Sequence, residues 1–298
     1  MKEEKPHKAG FVNIIGNPNV GKSTLMNQLV GEKLSIITSK AQTTRHRIQG
    51  IVSGDDFQIV YSDTPGIVDP AYKMHEGMMG FVESSLIDAD LILYITEVGE
   101  TQVKNEKIVE RLQKTSVPIQ LVVNKIDTSS KEAIAKHVEV WSELLPNAEI
   151  TKISALKSTN VDRLLKRIIK KLPVSPAYFP KDELTDKPMR FFMAEIIREK
   201  IFLNYSKEIP YSCEVVIESF KDGEDRIDIR AEIFVERNSQ KGILIGHQGQ
   251  ALKKVGMQAR ADMEKFLEKH VYLDLFVKVN KDWRNSAREL KKYGYINS

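Results

Sequence analysis

The 298-residue chain is 41% hydrophobic and 29% charged with a formal net charge of +4, the composition of a globular protein and not of a disordered one. Its length accommodates two domains, each able to bury its own core. No apolar run is long enough to cross a bilayer, the N-terminal stretch carries no apolar leader, and the lone Cys213 excludes an internal disulfide or a cysteine metal cluster.

The expected compartment is therefore reducing, the cytoplasm being the simplest. Cys213 falls in an alternating run and reads as a small core residue. The six histidines are scattered without ligand spacing, which gives no basis for a hydrolytic metal centre. Charge is uneven along the chain. Residues 241–298 hold 12 Lys and Arg against 6 Asp and Glu, whereas residues 181–240 hold 10 against 14. A basic C-terminal end hints at a polyanionic partner.

From residue 11 to residue 172, short apolar runs (11–15, 57–62, 91–95, 119–123, 149–153) alternate with longer helix-like stretches. That alternation predicts an α/β fold, a mostly parallel sheet with helices on both faces. Ligands in such sheets bind beyond the carboxyl ends of the strands. The first run is followed by Gly16-Asn17-Pro18-Asn19-Val20-Gly21-Lys22-Ser23-Thr24 and then a helical stretch. Strand, G-x-x-x-x-G-K-S and helix together make a phosphate loop, whose backbone N–H groups cradle phosphate oxygens. Lys22 is expected to reach the β- and γ-phosphates and Ser23 to ligate Mg²⁺.

The second run ends in Asp63-Thr64-Pro65-Gly66. An aspartate there can hold Mg²⁺ through water, and the Gly66 N–H can approach a γ-phosphate and swing away once it is gone. The fourth run precedes Asn124-Lys125-Ile126-Asp127, where a carboxylate accepting from guanine N1–H and the exocyclic amine would exclude adenine. After the fifth comes Ser154-Ala155-Leu156-Lys157, a loop whose backbone can reach guanine O6.

These four motifs, in this order, resemble the GTPase domain of the translation-factor type. The resemblance makes Gln42-Thr43-Thr44-Arg45 the first switch, with Thr44 the Mg²⁺ ligand in the GTP state and Thr43 the alternative that spacing does not separate. Small signalling GTPases carry a water-orienting glutamine after the Asp-x-x-Gly turn, where this chain has Ile67. Isoleucine has no side-chain hydrogen bond to offer, so slow intrinsic hydrolysis is expected. GTPases with such a residue and a phosphate-loop asparagine at the position of Asn19 often use K⁺, which makes Asn19 the candidate K⁺ ligand. The residues expected to carry the reaction are Lys22, Thr44, Asp63 and Gly66.

Leu172-Pro-Val-Ser-Pro-Ala-Tyr-Phe-Pro180 supports neither helix nor central strand, and residues 173–184 read as a stiff linker after a nucleotide domain spanning 1–172. In the remainder, 185–298, a helix over Met189–Leu203 with Thr185 or Asp186 as cap precedes two alternating runs, Ser212–Phe220 and Arg226–Val235, joined as a hairpin. Lys241–Ile245 leads to Gly246-His247-Gln248-Gly249, a helix from Ala251 to Leu267 and a strand over Val271–Val279.

The order α-β-β-α-α-β with G-x-x-G between consecutive helices resembles an α+β type II KH domain, in which that turn clamps the backbone of single-stranded nucleic acid. Ile245, Gly246, His247, Gln248 and Gly249 would form the clamp, and Lys253, Lys254 and Arg260 would meet phosphates. Relatives commonly place a lysine where His247 and Gln248 stand, so less fixed charge is expected at this turn and His247 could add pH sensitivity.

Nucleotide motifs, proline stretch and KH-like end together resemble the Era family of bacterial GTPases over nearly the whole chain. The likeness includes Pro18–Thr24, Gln42–Arg45 and Glu195-Ile-Ile-Arg-Glu-Lys200. It implies a monomeric GTP/GDP switch that binds the 3′ end of 16S ribosomal RNA and acts in 30S subunit assembly and rRNA maturation. Peripheral association with the inner face of the cell membrane is also implied. The competing readings are a GTPase whose second domain binds protein, and an RNA chaperone in which the nucleotide is only structural.

Overall fold

The computed structural model describes residues 6–296. The chain forms two compact units, one comprising the residues up to Ser35, Thr44–Ala71 and His75–Asp186, the other Ile36–Thr43, Tyr72–Met74 and Lys187 onward.

In the first unit the elements run β1 (Lys8–Gly16), α1 (Lys22–Val30), β2 (Ile48–Ser53), β3 (Phe57–Asp63), α2 (Lys73–Ile87), β4 (Leu91–Glu97), α3 (Glu106–Lys114), β5 (Ile119–Asn124), α4 (Lys131–Leu144), β6 (Glu149–Lys152) and α5 (Val161–Lys171). The sheet order is β2-β3-β1-β4-β5-β6, with β3, β1, β4, β5 and β6 mutually parallel. Residues 91–95 of β4 are all fully buried, as a strand covered on both faces requires. Helix starts follow local chemistry: the Asn105 side chain accepts from the Lys107 and Ile108 amides at α3, and Ser130 Oγ accepts from the Ala133 amide at α4.

Strand β2 is absent from the sequence reading. It pairs antiparallel with β3 at the sheet edge. Its centre, Gly50, lies under α1, where an added Cβ would stand 2.7 Å from the side-chain tips of Met26 and Val30. A glycine in that place breaks the alternation by which a strand is recognised.

The proline stretch is not a free tether. Pro173 O accepts from the Ala9 amide, and Gln58 Oε1 accepts from the amides of Tyr178 and Phe179 while its Nε2 donates to Phe179 O. Leu184 O accepts from Ile51 N, and Thr185 Oγ1 donates to Gln49 O. Residues 173–186 thus belong to the first unit: the stretch expected as a separate linker, 173–184, packs with the nucleotide unit, and the second unit resumes at Lys187, two residues beyond the expected start at 185. Prolines lack donors, and Gln58, a buried side chain, supplies the missing partners.

In the second unit the elements run α6 (Met189–Asn204), α7 (Ile209–Ser212), β7 (Glu214–Asp222), β8 (Arg226–Val235), α8 (Asn238–Ile245), α9 (Gln250–Leu267), β9 (His270–Val279) and α10 (Ala287–Lys292). The expected caps do not serve α6. Pro188 occupies its N-cap position without a side-chain bond, while Thr185 and Asp186 are both engaged with the Gln49 backbone. Strand β8 is central, antiparallel to β7 and parallel to β9. A parallel partner needs a crossover, and α8 and α9 supply it. Cys213 is fully buried. The C-terminal segment closes this core: Trp283 Nε1 donates to Ser212 O at 3.1 Å and the Tyr295 hydroxyl to Glu214 Oε2 at 2.6 Å.

Candidate functional site

At the carboxyl ends of β1, β3 and β5 the nucleotide motifs converge. The phosphate loop links β1 to α1. Lys22 is buried, its Nζ donating to the carbonyls of Gly16 (3.0 Å) and Asn17 (2.8 Å). Burial draws its pKa down to about 8, against the opposing pull of the Asp63 and Glu100 carboxylates. The ammonium is thus poised at the loop's own carbonyls, under-solvated and ready for an anionic partner.

Three oxygens that the motifs place far apart in sequence meet beside it. Ser23 Oγ donates to Asp63 Oδ2 at 2.7 Å, Thr44 Oγ1 stands 2.9 Å from Ser23 Oγ, and Thr44 Oγ1 lies 3.2 Å from Asp63 Oδ2. It is the Thr44 hydroxyl, not that of Thr43, that stands in this cluster. Burial pushes the Asp63 carboxyl up despite hydrogen bonds and Lys22 pulling it down, and its Oδ1 is buried with no hydrogen-bond partner. A buried, half-satisfied carboxylate beside two hydroxyls is a hard-oxygen donor set, the kind that suits Mg²⁺.

Gly66 follows Asp63 at van der Waals limit from the phosphate loop. A Cβ there would lie 2.8 Å from Pro18 Cα, so only glycine lets the Asp63–Gly66 turn approach the loop this closely. Ile67 N donates to Gly16 O at 3.1 Å and the Ile67 side chain is fully buried, so it is a core residue and points no group at a reacting water. Asn19 is exposed, with backbone in the left-handed region at φ 67°.

Asn124 knits the base-reading motifs together. Its Nδ2 donates to Val20 O at 2.8 Å and its Oδ1 accepts from Ala155 N at 2.9 Å. The Ala155 amide, within the loop whose backbone is expected to reach guanine O6, is therefore engaged with Asn124. Asp127 is exposed at a short 3-10 turn, Lys125 pairs with Glu97, and Leu156 is 72% exposed. The carboxylate, a half-exposed lysine stem and an apolar side chain thus surround the place a base would enter.

In the second unit the G-x-x-G turn links α8 to α9. Gly246 adopts φ 71° and ψ 179°, and a Cβ there would meet Ala251 Cβ at 2.6 Å, so this position is closed to other residues. Next to it opens a cavity of about 360 Å³ lined by Gly249, Leu252, Lys253, Gly256, Met257, Arg260, Leu273 and Leu275. Gly249, Lys253 and Arg260 were expected. Lys253 and Arg260 are seven residues apart and share a helix face, whereas Lys254 is exposed, turned off that face and outside the lining. Ile245, Gly246, His247 and Gln248 form the rim turn, with His247 and Gln248 exposed. An apolar groove beside this turn is expected from the KH resemblance, but the residues of its floor, Leu252, Met257, Leu273 and Leu275, are not named by the sequence. Along the inward face of β9, Val271 and Val277 are buried while Leu273 and Leu275 between them stay half-exposed. Sequence alternation marks that face as apolar but not that α9 leaves its centre open.

Comparison with known proteins agrees with this geometry. A 50S ribosome-binding GTPase family model matches residues 11–125 and a KH domain model matches residues 208–284. GTPase Era of Clostridium kluyveri is 48% identical over 290 residues, covering 97% of this chain and 99% of that protein, and GTPase Era of Geotalea uraniireducens is 46% identical, covering 98% and 99%. The chain belongs to the Era family. Its members are GTPases, and the architecture here, a P-loop GTPase unit followed by a KH domain, is theirs. Among solved structures, Era in complex with MgGDPNP and nucleotides 1506–1542 of 16S ribosomal RNA superposes with TM-score 0.93 at 39% identity, covering 98% of this chain and all of that one. An Aquifex aeolicus Era variant bound to GDP and AlF4⁻ also gives 0.93 at 39% identity.

Proposed function

We propose that this Era-family GTPase binds GTP and GDP with Mg²⁺ and that its KH unit takes the single-stranded 3′ end of 16S ribosomal RNA, in assembly of the 30S subunit and maturation of its RNA. The observation that carries the nucleotide half is the meeting of Ser23, Thr44 and Asp63 oxygens beside Lys22. Ser23, Thr44 and Asp63 would hold the metal, and Mg²⁺ when bound neutralises charge developing on the β- and γ-phosphoryl oxygens. Loop amides from Asn17 to Thr24 bind the phosphates, Lys22 supplies a fixed positive charge, and Asp127, Lys125 and Leu156 select and cover guanine. Thr44 and Gly66 sense the γ-phosphate, each on a segment that can relax once it is lost. With Ile67 in the core, the attacking water is oriented by backbone, by another residue or by an ion, and Asn19 is the proposed K⁺ ligand. Equal hydrolysis rates in K⁺ and Na⁺ would remove Asn19 from that role.

The RNA half rests on the groove beside Gly249, apolar on its floor and basic on one wall. Fluorescence binding of a short single-stranded RNA should weaken when Lys253 and Arg260 are both changed to alanine. The slope of log affinity against log salt should fall by about 1.4, two single-strand phosphate contacts. An unchanged slope would refute the groove as the RNA site. A cytoplasmic monomer with peripheral membrane contact completes the proposal; no helix among the described residues is long and apolar enough to cross a membrane.

A further inference from the structure

A phosphate loop works only while its backbone keeps its curl, and here the second residue of the loop is gripped from outside every nucleotide motif. Asn17 is 1% exposed. Its Nδ2 donates to Glu100 Oε1 at 2.5 Å and to Gln102 O at 2.9 Å, while its Oδ1 accepts from the Lys104 amide at 3.2 Å. Both donors and the acceptor of the Asn17 side chain are therefore spent on one segment, residues 100–104.

Glu100 is itself clamped on two sides. Its second carboxylate oxygen accepts from Thr96 Oγ1 at 2.7 Å, at the end of β4. Its backbone carbonyl accepts from Trp141 Nε1 at 2.7 Å, on α4, where the indole is fully buried against Tyr94 at 5.1 Å between centroids. Thr96 Oγ1 in turn lies 3.2 Å from His137 Nε2, also on α4. Burial raises the Glu100 carboxyl, and the bonds from Thr96 and Asn17 oppose that rise. A half-buried acid held by two donors in this way is costly to keep unless its geometry is used.

We infer that Glu100 is a positioning residue for nucleotide binding: through Asn17 it fixes the phosphate loop to β4 and α4 and presets the loop before nucleotide arrives. The inference deepens the nucleotide reading of this loop and rests on it. Glu100 reaches the phosphate loop through the Asn17 side chain and not through the backbone amides proposed to bind phosphate, so its removal should act on retention of nucleotide and not on the chemical step.

The test follows release of a fluorescent GDP from the full-length protein, alongside single-turnover hydrolysis at saturating GTP. Glu100→Ala should release GDP about tenfold faster, the loss of one charge-assisted bond, with single-turnover hydrolysis changed by no more than about twofold. Glu100→Gln should recover most of the difference, because its carbonyl can accept from Asn17 while its amide donates to Thr96 Oγ1, whose proton can turn to His137. Asn17→Ala should speed release as Glu100→Ala does, and the double variant should add nothing to the larger single effect. Should Glu100→Ala fail to fold, Asn17→Ala and Thr96→Val remain, the latter expected to speed release about threefold by freeing one carboxylate oxygen. Wild-type release in Glu100→Ala or Asn17→Ala, no recovery in Glu100→Gln, or additive effects would each overturn the inference. Failure of the wild-type protein to retain GDP at all would instead overturn the nucleotide reading beneath it.

Discussion

Asn124→Ala tests whether three of the four nucleotide motifs, the phosphate loop, Asn124–Asp127 and Ser154–Lys157, are one mechanical unit. The Asn124 side chain is 2% exposed and makes two buried bonds, to Val20 O at 2.8 Å and from Ala155 N at 2.9 Å. Truncation leaves a carbonyl of the phosphate loop and an amide of the base-reading loop without partners. Each buried orphan costs about 1–3 kcal/mol, and water entering the small cavity recovers part of it, so the net loss should be about 3 kcal/mol. For a unit of this size a kcal/mol is worth about 2–4 °C, which puts the shift at about 6–12 °C. The assay is calorimetry of the nucleotide-free protein, followed through the transition of the first unit, with GDP release measured in parallel. Release should accelerate, since the loop and the base-reading segment are no longer held in register. A melting shift below about 2 °C together with unchanged GDP release would refute the claim that Asn124 joins these motifs.

Asp127→Asn replaces two charge-assisted acceptor bonds and should weaken GTP about a thousandfold, while xanthosine triphosphate, whose C2 carbonyl accepts from the new amide, should bind more tightly than GTP; competition binding with the two nucleotides decides it, and retained guanine preference counts against the base site. Gly66→Ala drives a Cβ to within 2.8 Å of Pro18 Cα and should lower the ratio of GTP to GDP affinity about tenfold, a strain of about 1–3 kcal/mol carried by one state only; equal loss for both nucleotides would show that the glycine serves the fold alone. His137 is buried and its pKa is lowered by desolvation, so the unfolded chain binds its proton first as pH falls. Stability should therefore be full at neutral pH and decline as pH drops through about 6.5. Between pH 7.5 and 5.5 the wild-type melting temperature should fall further than that of His137→Gln, and parallel curves would contradict the sign.

Much of the nucleotide site is legible in sequence because its chemistry is local. A phosphate loop of the kind spelled by Gly16 to Thr24 works largely through consecutive backbone amides, so a contiguous string carries both the shape and the expected ligand. The parallel strands are legible for a related reason, since burial on both faces forces unbroken apolar runs such as Leu91–Ile95. Asp127 and the Gly246–Gly249 turn are equally short-range signals, though the turn gained meaning only from the order of elements around it.

Packing decided what no string contains. Thr43 and Thr44 are adjacent and chemically alike, and only the fold brings the second hydroxyl beside Ser23 and Asp63. Gln58 stands in an ordinary strand pattern, yet it anchors the proline stretch from across the unit. Gly50 hides a strand because helix α1 leaves no room for a side chain. Leu273 and Leu275 repeat the alternation of their buried neighbours, and their partial exposure depends on how α9 packs over them. Glu100 and Asn17 are separated by 83 positions and share no motif. Sequence by itself determined that this chain carries a guanine-nucleotide loop and a KH-like turn, since those functions are written in backbone-forming neighbours. Tertiary structure alone determined which side chains orient that loop and line that groove, because such contacts join residues whose spacing along the chain carries no information about their distance in space.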